Sequence, residues 1–302
     1  MDFVPRQPIP EQAPVLNRVP EVHFTGLQTL WLQVGGTLCN LACNHCFISC
    51  HPENHNIPMM TLATVRRHLE EAGRHGVQDI YITGGEVFLN PEIMQILEAI
   101  LEYGPCHVLT NGTTLNAKRV GQLQAIQERR THKLHFRVSL DSLDEQENDS
   151  VRGPNAFRQA VEGIRNLSRA GFPTHLTLVR SWDEDEDPAM EQQVMVFLRN
   201  LGAPQGRAKF LPGFLLGELE KTARQYHEHE RVTERCFDNW PITNLQCSSS
   251  RMVTEDGVYV CPILVEEPAA RMGGTLEETF RPYPLRHAAC YTCRISGMSC
   301  KS

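Results

Sequence analysis

The 302-residue chain reads as an α/β protein: parallel strands wrapped by helices, with a small cysteine-rich β-hairpin module at the C-terminal end. Three observations predict this. Short apolar strands alternate with helical segments from residue 27 to residue 211, the pattern of a parallel sheet with helices outside. Six such units occur, which fits an open, partial (β/α)6 barrel better than a closed eightfold one. The distinctive residues stand just past strand ends, where barrels of this kind gather their chemistry.

Taken in order, residues 1–26 carry five prolines and little periodicity, and read as an irregular arm over the domain. Strands are expected at 29–34, 79–83, 106–110, 134–140, 174–179 and 208–211. Thr61 opens a helix with Leu62, Val65 and Leu69 on one face, stopped near Gly76. Asn90-Pro91 reads as an N-cap followed by proline at the first helical position, with Ile93, Ile96, Leu97 and Ile100 at helical spacing. Ala156, Ala160, Val161, Ile164 and Leu167 mark a fourth helix ending at Gly171, and Asp187-Pro188 opens a fifth. Residues 182–187 read as a solvated acidic loop. The resulting organisation is an arm (1–26), a barrel (27–215), a charged linker helix (216–235) and a cysteine-rich module (236–302).

The net charge of −7 argues against a general nucleic-acid or anionic-membrane surface. No run of 18 apolar residues predicts a transmembrane helix, and residues 1–20 lack the apolar segment of a secretory signal. Eleven cysteines without an export signal point to the cytoplasm and to metal or cluster ligation rather than disulfides. Four fall between Cys39 and Cys50 and six between Cys236 and Cys300; Cys106, in an apolar run, reads as a core thiol.

The first group contains Cys39, Cys43 and Cys46 in the spacing C-x3-C-x2-C, on the loop after the first strand. Soft thiolates suit zinc or iron–sulfur clusters. A structural zinc wants four closed ligands, whereas three close cysteines suit a 4Fe–4S cube with one iron open. Free thiols or a zinc knot are the alternatives. Neighbouring strand residues face opposite sides. Leu134, Phe136, Val138 and Leu140 therefore separate from His135, Arg137, Ser139 and Asp141. Leu176 and Leu178 separate from His175 and Thr177, and Ala208 and Phe210 from Arg207, Lys209 and Leu211. The apolar faces should meet the helices, leaving a polar lumen suited to ligands. Arg137 and Lys209 are then candidates to hold an anionic substrate; Arg207 also suits a rim in water.

The cysteine spacing resembles the signature of the radical S-adenosylmethionine superfamily, with His45 at the position before the last cysteine. Gly84-Gly85-Glu86 resembles that family's Gly-Gly-Glu motif. The resemblance implies a partial TIM-like barrel and a 4Fe–4S cluster on Cys39, Cys43 and Cys46. It implies reductive cleavage of S-adenosylmethionine to a 5′-deoxyadenosyl radical that takes hydrogen from a substrate, with an external one-electron reductant such as flavodoxin or ferredoxin. It also suggests contacts. Gly84, Gly85 and Glu86 would meet the methionyl ammonium, and Ser139 and Arg152 the carboxylate, although a surface ion pair suits Arg152 too. Asn111, Ser139 and Asp141 are candidates for the ribose, and His45, Phe47 and Leu211 for adenine. His51 and His55 read as surface polar residues.

Asp256-Gly257 between alternating runs signals a hairpin with Cys247 and Cys261 at its bases. Cys290 and Cys293 form a C-x2-C pair, followed by Cys300. The arrangement resembles the twitch module, a shortened SPASM domain with one auxiliary 4Fe–4S cluster. The implied ligands are Cys247, Cys261, Cys290 and Cys293, with Cys236 or Cys300 as replacements; a zinc ribbon would use the same four. An auxiliary cluster would accept the second electron of an oxidation. The expected activity is therefore a radical oxidoreductase acting on a small anionic molecule. A peptide-modifying maturase is the alternative within the family, and a non-catalytic iron–sulfur or zinc scaffold the alternative outside it.

Overall fold

The computed structural model describes residues 18–297. Most of the expected arm and Cys300 lie outside the described residues. The arm's described end holds a short strand, β1 (Glu21–Val22). β2 (Thr29–Leu32) is buried throughout. α1 (Leu62–Gly73) starts where the Thr61 hydroxyl accepts the Thr64 amide, a side-chain N-cap. β3 (Asp79–Ile82) follows. α2 (Ile93–Tyr103) starts later than expected, yet Asn90 Oδ1 accepts the Glu92 N–H (2.9 Å), the capping bond the sequence predicts at the entry to the helix. The Asn90 Nδ2 also donates to the carbonyls of Val34 (2.9 Å) and Met60 (2.8 Å), tying three loops together.

β4 (Cys106–Thr110), α3 (Ala117–Glu128) and β5 (Leu134–Ser139) come next. An unexpected helix, α4 (Glu145–Arg152), is capped by Asp144, whose carboxylate accepts two backbone amides. α5 (Ala156–Arg169), β6 (Thr174–Val179), α6 (Asp187–Asn200) and β7 (Ala208–Leu211) complete six strand–helix repeats. α6 carries proline in its first turn, where no amide partner is needed.

The linker helix expected over 216–235 is only α7 (Gly217–Thr222). Leu219 is its one buried side chain, so no apolar stripe supports a longer helix. Beyond it Arg224 grips Glu230 with two parallel bonds of 2.6 and 2.7 Å, closing a loop. The C-terminal region supplies β8 (Ser250–Thr254), β9 (Gly257–Tyr259), β10 (Arg271–Gly273), β11 (Tyr283–Pro284) and α8 (Ala288–Ile295).

The main sheet has nine strands in the order β10-β9-β8-β2-β3-β4-β5-β6-β7. β2 to β7 run parallel in sequence order, as a partial barrel requires. β8 joins β2 in parallel, Thr29 opposite Ser250 and Leu32 opposite Val253. The hairpin therefore extends the barrel sheet and does not stand off as a separate unit. Its backbone covers the β2 edge, which would otherwise present unpaired amides and carbonyls. β1 pairs antiparallel with β11, fastening the start of the described chain to its end.

The alternation along each strand sorts side chains as the sequence predicts. Leu30, Leu32, Ile80, Ile82, Cys106, Val108, Leu134, Phe136, Val138, Leu176 and Leu178 join the helices in one large core. Trp31 and Tyr81 face inward instead, into a smaller cluster with Cys39, Ile48 and Cys50 under the cysteine loop. A further cluster packs Val260, Ile263, Tyr283 and Cys290 in the C-terminal region. Emptying one core site, such as fully buried Leu97, would cost about 2–5 kcal/mol.

Candidate active site

The cysteine loop leaves β2 through Gly35-Gly36, a pair the motif reading passed over. Gly36 has φ +55°, and a Cβ there would lie 2.3 Å from the Ile57 carbonyl. Gly84-Gly85, at the end of β3, presses on the same place. A Cβ on Gly84 would meet the Gly35 backbone at 2.6 Å, and one on Gly85 the Leu38 carbonyl at 2.1 Å. Gly85 N–H donates to Gly36 (2.9 Å) and Glu86 N–H to Leu38 (3.0 Å). Bare backbone thus lets the two loops close on each other.

Cys39, Cys43 and Cys46 line one cavity of about 210 Å³ together with Gly84, Gly85 and Asn111. Burial pushes the Cys39 thiol up to about 12 and Cys43 to about 11. Cys46 is pulled down, because the Cys50 thiol donates to its sulfur; Cys50 is pushed up in turn. The Cys50 amide also donates to Cys46 Sγ at 3.2 Å. Metal ligation deprotonates thiols whatever their metal-free pKa, so the donor set suits a cluster. Among the described residues, no group of three or more His, Cys, Asp or Glu side chains is gathered closely enough to hold a single metal ion.

Glu86 is fully buried and does not line the cavity. Its carboxylate accepts from the Thr110 hydroxyl (2.8 Å), Asn111 N–H (2.8 Å) and Phe88 N–H (3.1 Å). Burial raises its pKa while those donors oppose the rise. These bonds tie the ends of β3 and β4 together.

Asp141 is also not at the cavity surface. Its Oδ2 lies 2.6 Å from Arg152 Nε and 2.8 Å from His45 Nε2, with all three side chains at most 8% exposed. Burial would raise the Asp141 pKa, but Arg152 and then His45 outweigh it and hold the carboxyl well below the usual range. Asp141 thus orients two cavity residues, His45 and Arg152. Arg152, at the end of α4, lines the cavity with Ser139 and is neither a surface residue nor in a surface ion pair. Asn111 lines it too, but its Nδ2 already donates to Asn40 Oδ1 (3.0 Å) and reaches Cys39 Sγ (3.7 Å). His45, Phe47 and Leu211 complete the wall near Phe214.

A family profile described as "Radical SAM superfamily" matches residues 34–191, just over half the chain. The chain belongs to the radical SAM superfamily. Its cofactors are accordingly a 4Fe–4S cluster and S-adenosylmethionine. The chain is 30% identical over 136 residues to the antilisterial bacteriocin subtilosin biosynthesis protein AlbA of Bacillus subtilis, covering 44% of this chain and 29% of that one. It is 31% identical over 138 residues to the GTP 3′,8-cyclase of Actinobacillus succinogenes, covering 45% and 40%. The matched stretch spans less than half the length of these curated relatives. SuiB of Streptococcus suis, bound to its precursor peptide SuiA, shares the fold with a TM-score of 0.62 at 14% identity, over 86% of this chain and 66% of that one.

In this radical SAM chain the lumen follows strand parity. Arg137, 3% exposed, lines the cavity beside Thr177, whose hydroxyl it approaches at 3.3 Å. Lys209 shares a face with Leu211 but is not among the lining residues. Deeper in the lumen Trp31, Tyr81, His107 and His135 stack in a ladder across β2 to β5, with centroids 4.3–4.9 Å apart. Pro262 and Ile263, just after Cys261, close the cavity from the C-terminal side.

Cys247, Cys261, Cys290 and Cys293 line a second, smaller cavity of about 40 Å³, which shares the Ile263 wall with the first. Cys236 is buried but does not line it; its sulfur accepts from Thr233 N–H (3.4 Å). The backbone amides of Ile263 and Leu264 are directed at the Cys261 sulfur. Both polar atoms of the Gln246 side chain, which lines the same cavity, are buried without a hydrogen-bond partner. Four thiols, two amides aimed at sulfur and an orphaned carboxamide suit a sulfur-rich anionic group. No described helix is long and apolar enough to cross a membrane.

Proposed function

We propose that this chain is a radical S-adenosylmethionine oxidoreductase with two iron–sulfur centres. The bound cofactors would supply a 5′-deoxyadenosyl radical, the species that takes a hydrogen atom from the substrate. The chain's residues divide the remaining work. Cys39, Cys43 and Cys46 would ligate the first cluster, and Gly84 and Gly85 keep that loop close to the end of β3. Arg152, steadied by Asp141, and Ser139 would receive the methionyl carboxylate. His45, Phe47 and Leu211 would wall the adenine. Cys247, Cys261, Cys290 and Cys293 would hold an auxiliary 4Fe–4S cluster that takes the second electron. The reading of an oxidation rests on one observation: Ile263 lines both thiol-lined cavities, so they share a wall.

Arg137 supports a substrate that carries a carboxylate or phosphate, held in the lumen by charge. The similarity to a bacteriocin biosynthesis protein, and the fold shared with SuiB bound to a precursor peptide, favour a second reading as a peptide maturase. The deciding experiment is turnover. Reconstituted protein, with flavodoxin or ferredoxin as reductant, is given small carboxylates and phosphates or acidic peptides, and 5′-deoxyadenosine is measured. Stimulation by the small anions, lost in Arg137→Met, is expected. Stimulation by peptides alone would favour the maturase, and no 5′-deoxyadenosine under any condition would end both.

A further inference from the structure

Arg251, on β8, is 1% exposed and the largest fully buried side chain among the described residues. Its register partner is Leu30, so it sits where the C-terminal strands join the barrel. Its donors are spent on neutral acceptors. Nε reaches the Thr279 carbonyl (3.2 Å) and hydroxyl (3.1 Å), and Nη2 the same carbonyl (2.8 Å). Nη1 reaches the carbonyls of Cys247 (2.8 Å) and Ser250 (2.6 Å). The ring of Phe24 lies 4.2 Å from the guanidinium carbon, itself stacked on Phe280. No carboxylate among the described residues pairs with Arg251.

A buried cation without a counter-ion is costly, because desolvation is not repaid by hydrogen bonds to neutral groups alone. One of the guanidinium bonds goes to the backbone of Cys247, a residue of the four-thiol site four positions away along the chain. We infer that Arg251 is the counter-cation of the four-thiol site and raises the reduction potential of the group bound there. The inference rests on the auxiliary-cluster reading above.

The reasoning is electrostatic. A 4Fe–4S centre with four thiolates carries a charge of about −2, which becomes about −3 on taking one electron. A fixed cation in a dry site favours the more negative form and so favours uptake. The substrate radical would give up one electron to that centre and a proton to solvent, completing a two-electron oxidation. Arg251 would act as a tuning residue, touching neither substrate nor S-adenosylmethionine.

The test uses full-length protein carrying Cys39→Ala, Cys43→Ala and Cys46→Ala, so that only the C-terminal centre is loaded. Its reduction is followed by electron paramagnetic resonance against applied potential. In Arg251→Gln and Arg251→Met the ratio of reduced to oxidised centre at a fixed potential should fall at least about tenfold, equivalent to about 59 mV for one electron. Arg251→Lys, which keeps the charge, should stay within about threefold. A merely structural arginine would alter loading without shifting the potential. If both neutral variants fail to hold iron, Phe24→Leu decides: water admitted to the guanidinium should lower the ratio at least about twofold. An unchanged potential in a loaded neutral variant, or in Phe24→Leu, overturns the role of Arg251 alone. A parent protein with zinc or nothing at the four thiols overturns the auxiliary-cluster reading and this inference with it.

Discussion

Asp141→Ala removes the carboxylate shared by Arg152 and His45. The contacts are 2.6 and 2.8 Å, and the acid is only 4% exposed. Breaking a buried pair from one side costs about 3–5 kcal/mol, since it strands a charge out of water. The lower end applies to cluster-loaded protein, because the Cys43 sulfur is also an attractive neighbour of Arg152. Urea unfolding followed by circular dichroism measures the loss. The Asp141→Ala, Arg152→Ala double variant should be less damaged than the two single losses summed, because it strands no charge. The pH dependence has a defined sign. The folded-state pKa of Asp141 lies below its unfolded value of about 3.9, so its contribution is complete above that value and lost as pH falls through the folded one. The gap between the natural protein and Asp141→Asn should therefore shrink below about pH 4. A single-variant loss within about 0.5 kcal/mol, the range of ordinary surface changes, would refute the triad.

Further outcomes follow from the same geometry. Gly85→Ala drives a Cβ to 2.1 Å from the Leu38 carbonyl and should displace the cysteine loop, lowering iron content at the first centre while leaving four irons at the second. Glu86→Gln sets an NH2 group against donors in a fully buried site; it should cost about 1–3 kcal/mol in urea unfolding, with S-adenosylmethionine affinity in the folded fraction little changed. Cys236→Ala should leave iron content unaltered, whereas Cys290→Ala should remove the irons of the C-terminal centre, both read by iron and sulfide analysis. Lys209→Ala should weaken turnover less than Arg137→Ala, since only Arg137 lines the cavity.

Strand periodicity carried much of the fold. Parity along residues 134–140 separated Arg137 and Ser139 from Phe136 and Val138, and the cavity receives the first pair. Local spacing brought out the cysteine loop and the four C-terminal thiols that line one cavity. What spacing does not carry is the partner of a side chain. Glu86 stands in a local motif, while the groups bonded to its carboxylate come from residues 88, 110 and 111. The partners of Asp141 are equally non-local: His45 lies almost a hundred residues away, and the helix that positions Arg152 has no strong apolar face to announce it. The parallel pairing of residues 29–32 with 250–253 spans most of the chain, so the hairpin read as an appendage. Gly35-Gly36 was legible as a turn signal, but its purpose depends on the backbone of Gly84.

The central claim is that three thiols after the first barrel strand hold a cluster distinct from one on the C-terminal thiols. Anaerobic reconstitution with iron and sulfide counting, beside assay of 5′-deoxyadenosine, tests it most directly. The natural protein should bind about eight irons, four per centre, and Cys39→Ala, Cys43→Ala, Cys46→Ala protein about four, with 5′-deoxyadenosine formation abolished. Iron unchanged in that variant, or stoichiometric zinc in place of iron at the first loop, would contradict the account.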